Sequence, residues 1–334
     1  MSTTLDQKTL ESNQSRPVNQ FRLGLLLAGG SAFAFGMSGP LAKSLMTAGW
    51  SPTAAVTARL AGGALVLAVV ATIARPGWLH EARAHAGTVL AYGLIPVAGA
   101  QLCYYNAVAH LSVGVALLLE YTSPVLVIGW LWATTRRRPQ TLTLVGAALA
   151  VVGVTLVLDV FNSARVDPVG VAWGLGAAVC AVCYFMMSDK VSTDGSGLQA
   201  LTLAAGSLVV ATVAVGLLGV SGVMPLHFTA NDAVIAGATV PWVVPAVLLG
   251  VVSTALAYTL GIGGVARLRP GFASLAGLAE VLFAVLAAWL LLGEGLSGAQ
   301  TVGGIVVLAG LALARRGEIV PESSSPGNLE QSVP

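Results

Sequence analysis

Ten times along this chain of 334 residues, about twenty consecutive residues pass with almost no charge, and nothing else constrains its fold so tightly. At 1.5 Å per residue, each run is long enough to cross the roughly 30 Å hydrocarbon core of a bilayer as a helix. The runs lie near 22–42, 53–74, 86–109, 112–134, 140–159, 168–188, 198–220, 239–263, 270–292 and 297–314, and are numbered spans 1 to 10. They are continuous rather than alternating, which excludes the strands of a transmembrane barrel. A hydrophobic fraction of 56%, a charged fraction of 9% and a mean hydropathy of +0.85 exclude a soluble globular domain as well. The expectation is an all-α integral membrane protein of ten transmembrane helices.

Residues 1–20 and 317–334 are polar, rich in Ser, Gln, Asn, Glu and Pro, and are expected to be disordered cytoplasmic tails. Span 1 lies behind a polar tail and runs past the length of a signal-peptide core, so it reads as an uncleaved anchor. Between the tails the chain divides into 21–160 and 161–316. Shifting the sequence by 157 residues superposes Gly114 on Gly271, Trp132 on Trp289, Gly146 on Gly303 and Gly153 on Gly310, with no gap over residues 97–156. Five spans per half give the two copies opposite orientations, a five-plus-five inverted repeat of the kind that places a substrate site near the bilayer midplane.

The basic residues fix the expected orientation. With the N-terminus inside, the inner side holds Lys8, Arg16, Arg22, Arg75, Arg83, Arg136, Arg137, Arg138, Lys190, Arg267, Arg269, Arg315 and Arg316, and the outer side only Lys43 and Arg165. That asymmetry places both termini in the cytoplasm. The excess of arginine over lysine, with abundant Ala, Gly and Val, fits a GC-rich bacterium, and hence its cytoplasmic membrane.

Several tracts carry a resemblance. The first is Gly114-Val-Ala-Leu-Leu-Leu-Glu120-Tyr121-Thr122-Ser123-Pro124. Its second copy is Gly271-Phe-Ala-Ser-Leu-Ala-Gly-Leu-Ala-Glu280-Val281, closed by Leu292-Gly293-Glu294, and span 2 opens on Arg59-Leu-Ala-Gly-Gly-Ala-Leu. With ten spans and the repeat, these tracts resemble the EamA-type branch of the drug/metabolite transporter superfamily. The wording around Glu120, with Gly39-Pro-Leu-Ala-Lys43, is similar to that of bacterial threonine/homoserine exporters. The resemblance implies a secondary exporter of small metabolites, amino acids among them, in which two halves rock around a cavity lined by spans 1–4 and 6–9, with spans 5 and 10 outside it. Where the family's second copy reads Glu-Pro, this chain has Val281, so span 9 is expected to lack a kink present in relatives.

Charged groups at mid-helix are costly and normally face a cavity or a partner. Glu120 and Glu280 each fall within about 5 Å of mid-bilayer by helical rise. Such a carboxylate suits a substrate ammonium or a coupling proton; a hydrogen bond to a neighbouring helix is the structural alternative. Arg59 in span 2 either receives a substrate carboxylate bidentately or braces the helix against carbonyls or a glutamate. Lys43, at the outer end of span 1, fits snorkelling more simply than binding. Tyr121, Thr122, Ser123, Gln101, Tyr184 and Tyr258 are further lining candidates, whereas Tyr104, Tyr105 and Asn106 lie near a span end and read as interfacial. Trp50, Trp78, Trp242, Trp132 and Trp289 read as belt anchors. The glycine pairs Gly146/Gly153 and Gly303/Gly310 read as helix-packing faces, and Cys103, Cys180 and Cys183 as small packing residues despite one CxxC spacing.

No metal-binding, phosphate-cradling or nucleophile motif is present in the sequence. No cofactor is expected beyond coupling to protons. The expected partners are a small-molecule substrate and the lipid bilayer and not nucleic acid, with monomer and homodimer both open. Two other functions compete: export of cationic drugs such as quaternary ammonium compounds, held by a buried glutamate beside Tyr121, and a membrane-embedded enzyme, which would need a clustered acid or His/Glu dyad.

Overall fold

A computed structural model describes residues 21–136, 138–157, 167–193, 197–265, 267 and 270–319. The N-terminal tail, residues 320–334 and Arg165 lie outside the described residues. Among those residues, seven helices are long and apolar enough to cross a membrane: α1 (Phe21–Thr47), α2 (Pro52–Ala74), α3 (Ala86–His110), α4 (Val113–Thr134), α6 (Pro168–Ser188), α7 (Ala200–Val220) and α8 (Val243–Gly264). Three further apolar helices, α5 (Thr141–Val157), α9 (Pro270–Leu292) and α10 (Gly298–Ile319), occupy the remaining positions at which the sequence delimits spans. The last turn of α10 extends into the segment expected as tail.

Glycine sets the closest approaches. Gly146 meets Gly310 and Ala314, and Gly153 meets Gly303 and Val307, so the index rises along α5 as it falls along α10. The repeat mates are therefore antiparallel. A methyl group at Gly146 would stand 2.3 Å from the Ala314 nitrogen, and one at Gly153 would stand 2.6 Å from that of Val307. Backbone cannot yield as a side chain can, so these are packing glycines, as the pairs predicted. The halves also interlock: α2 crosses α8 at Gly62 and Gly250, while α3 crosses α7 where Gly93 faces the Ser207 carbonyl. Gly93 and Gly250 are themselves repeat mates.

Both α3 and α8 contain a π-helical turn, at Gly93–Gly99 and Val251–Leu256, and the repeat shift carries one onto the other. In the first, Pro96 has no N–H to give to the ladder. Its repeat mate is Ser253, and there the neighbouring Thr254 hydroxyl donates to the Leu249 carbonyl at 3.0 Å, widening the turn from the side. Nothing in the hydrophobic pattern marks these turns.

Helix α4 is discontinuous. It stops at Glu120, turns through Tyr121 and Thr122, and resumes at Ser123 with Pro124 in its first turn. Pro124 cannot donate to the Glu120 carbonyl, so the ladder ends there. Helix α9 runs unbroken through Val281, as the missing proline predicts. The two halves thus differ at the same depth.

The loop between α7 and α8 adds a small hairpin, Ala233–Ile235 with Ala238–Val240, to the otherwise helical described residues. Its two central residues, Ala236 and Gly237, both take positive φ, as a two-residue turn requires. This loop folds over Trp50, whose indole donates to the Thr229 carbonyl at 2.9 Å. Trp50 is therefore buried beneath a protein cap instead of anchoring in lipid, and Trp78 is buried too, donating to Thr72 Oγ1. Trp132 and Trp289 stand exposed, at 46% and 58%.

Candidate functional site

Arg59 stands at the centre of the bundle, 4% exposed. Its Nε donates to Thr254 Oγ1 at 3.2 Å. One terminal nitrogen donates to Ser38 Oγ, to Gln101 Oε1 at 2.6 Å and to the Tyr105 hydroxyl at 3.2 Å; the other reaches the Ser253 carbonyl at 3.4 Å. The π-turn of α8 presents Ser253 and Thr254 together, which explains why Arg59 of one half is held by the other. The guanidinium also lies 5.7 Å from the Tyr105 ring centre. Arg59 is thus held by hydroxyl, amide and carbonyl oxygens of three helices, and no carboxylate among the described residues forms an ion pair with it. Tyr105 is fully buried and Tyr104 nearly so, which corrects the interfacial expectation for both. Asn106 donates locally, to the Leu102 carbonyl.

The two midplane glutamates differ. Glu280 accepts a hydrogen bond from the Tyr121 hydroxyl at 3.0 Å, tying α9 to the break in α4. Glu120 ends the first α4 segment, and its carboxylate has no hydrogen-bond or ion-pair partner among the described residues. Both carboxylates lie within electrostatic reach of Arg59, and Glu120 within reach of Glu280. Protein surrounds both, yet part of each side chain stays uncovered, as expected for residues lining an internal space.

The other candidates divide. Gln101 belongs to the Arg59 cradle. Tyr258 stacks edge-on against Phe35 at 5.1 Å and remains partly open. Thr122 turns its hydroxyl back onto the Leu119 carbonyl, capping the broken helix, and Ser123 is buried; neither meets the carboxylates. Tyr184 packs against Tyr92 at 5.7 Å, whose hydroxyl bonds Ser188, in a separate aromatic group. Each of Cys103 and Cys180 sits over a glycine of the other's helix, Gly176 and Gly99 respectively, so Cys180 neighbours Cys103 across α3 and α6. Sequence reasoning missed Ser38, Ser253 and Thr254. Only the repeat alignment, which sets Ser253 opposite Pro96, carried a signal for the last two.

Lys43 does not snorkel. Its ammonium pairs with Glu294 at 2.5 Å and donates to the Leu111 carbonyl, while the other Glu294 oxygen accepts from the Val113 N–H. One pair thereby joins the neighbouring ends of α1, α4 and α9. Nearby, His110 Nδ1 lies 2.7 Å from Asp167, and the Val169 N–H together with His110 holds the Asp167 carboxyl below its ordinary range. At the opposite end Glu81, on a short helix (Trp78–Ala84), accepts from the Gln199 N–H at 2.7 Å and the Thr202 hydroxyl at 2.8 Å. Burial alone would raise the Glu81 carboxyl, but those two bonds and Arg75 outweigh it and lower it.

The EamA-like transporter family matches this chain twice, over residues 22–159 and 168–316. The threonine/homoserine exporter RhtA of Salmonella typhimurium (strain SL1344) is 30% identical over 272 residues, covering 80% of this chain and 83% of that protein. The exporter of the same name from Escherichia coli (strain K12) is 29% identical over 275 residues, 81% and 84% of the two chains. A solved crystal structure of a protein, 18% identical, superposes with a TM-score of 0.55 over 87% of this chain and 96% of its own, which shows the fold alone.

Proposed function

This chain belongs to the EamA-like transporter family, and from that premise we propose that it is a secondary exporter of small amino acids such as threonine and homoserine, working by alternating access between inverted halves in a bacterial cytoplasmic membrane with both termini inside. It is a membrane transporter by family; the substrate reading rests on its similarity to the threonine/homoserine exporters.

One observation carries the site assignment: Glu120, beside a helix break at midplane depth, has no hydrogen-bond or ion-pair partner among the described residues, where an unpaired charge is costly. A substrate ammonium supplies that partner. Glu280, held by Tyr121, is the coupling carboxyl. When it takes up a proton it stops being the charged acceptor of the Tyr121 bond, and the tie between α9 and the α4 break weakens. The Arg59 cradle keeps the two halves in register around both groups.

The test is efflux of labelled threonine and homoserine from proteoliposomes with and without a pH gradient. Glu120→Gln is expected to abolish flux. Glu280→Gln is expected to retain flux but lose its response to the gradient. Unchanged flux in both variants removes these assignments.

A further inference from the structure

Resting on that reading, we propose that the site recognises its ligand by the ammonium group alone, so that it takes primary-amine cations whether or not they carry a carboxylate. The argument starts from what faces Glu120. Its carboxylate is unpartnered, and its own backbone carbonyl lacks a helical donor because Pro124 has no N–H. The segment Val113–Glu120 also directs the negative end of its dipole toward this point. Three sources of negative potential thus converge, and broken helices bind cations at such C-terminal ends.

A carboxylate finds no comparable receptor. Arg59 is the one cation at this depth among the described residues, and its engaged nitrogens leave no bidentate edge open: Nε and one terminal nitrogen face Thr254 and Ser253, while the other terminal nitrogen serves Ser38, Gln101 and Tyr105. Lys43 is paired with Glu294 at one end of the bundle. The segment that resumes after the break offers little as a helix N-terminus. The N–H groups of Tyr121 and Thr122 bond Leu117 and Leu119 carbonyls, those of Val125 and Leu126 bond the Thr122 carbonyl, and Pro124 has none, which leaves the single N–H of Ser123. Besides Arg59, Glu280 and Cys180 lie within electrostatic reach of Glu120, and neither receives a carboxylate.

The discriminating experiment is counterflow into proteoliposomes preloaded with unlabelled test compounds, using labelled threonine and, in parallel, labelled ethanolamine. Threonine amide and ethanolamine are expected to drive counterflow within about threefold of threonine, and N-acetylthreonine to drive none. If the carboxylate were received by a charged group, amidation would weaken exchange by about ten- to a hundredfold. That loss, or activity with N-acetylthreonine, overturns the proposal. Movement of ethanolamine without threonine, lost in Glu120→Gln, would uphold ammonium recognition while removing the amino-acid reading. Movement of neither label overturns both.

Discussion

Arg59 shows how much a single residue can reveal, and conceal, before coordinates exist. Its place in span 2 was legible because a charge in an apolar run stands out; its role was not, because its partners Ser38, Ser253 and Thr254 are ordinary small residues brought in from α1 and α8. The guanidinium is balanced by neutral acceptors, so removing it leaves buried polar groups unsatisfied. Arg59→Leu is expected to lower stability in detergent by about 1–3 kcal/mol or more, read as a fall in thermal denaturation midpoint; an unchanged midpoint would contradict the brace. The glutamates were legible for the same reason as Arg59. What separates them, a tyrosine hydroxyl on Glu280 and none on Glu120, depends on side chains from another helix and could not be read from one chain's order.

Whole elements were the most legible scale, since a run of apolar residues and the thickness of a bilayer leave little freedom in where a helix begins and ends. Val281 in place of proline foretold an unbroken α9, whereas the break in α4 at Pro124 emerged only in the structure. The π-turns were hidden: a single extra residue per turn does not disturb a hydrophobic run, and only Pro96 hints at one. Glycine contacts give the sharpest prediction. Gly153→Val places a branched side chain against the α10 backbone, where even a methyl group would stand 2.6 Å from a nitrogen, and should reduce folded yield severely. Gly129→Ala, in α4 with nothing within 4 Å, should be neutral or stabilise by about 0.5–1 kcal/mol. Equal effects of the two substitutions on folded yield and denaturation midpoint would refute the close-packed α5–α10 seam.

For the molecule as a whole, one end of the bundle is closed by the Lys43–Glu294 pair and by the loop that covers Trp50, and the other carries the Glu81 clasp. In the proposed alternating-access cycle, opening this end separates Lys43 from Glu294, so a disulfide formed in a Lys43→Cys, Glu294→Cys protein should stop transport and reduction should restore it. The Glu81 carboxyl lies below its ordinary range, so the clasp stabilises above the unfolded value of about 4.3 and weakens as pH falls through the lower folded value. The stability difference between the protein and Glu81→Gln should accordingly be present at neutral pH and vanish in acid. The repeat was legible at this scale, yet the interlocking of α2 with α8 and α3 with α7 was not, because it depends on crossings between halves that no single span encodes. The central claim is that the partnerless carboxylate at the break in α4 binds the transported ammonium. Equilibrium binding of labelled threonine to purified protein tests it most directly: saturable binding that Glu120→Gln abolishes, with Tyr121→Phe only weakening it, is the predicted result, and undiminished binding to Glu120→Gln would contradict the account.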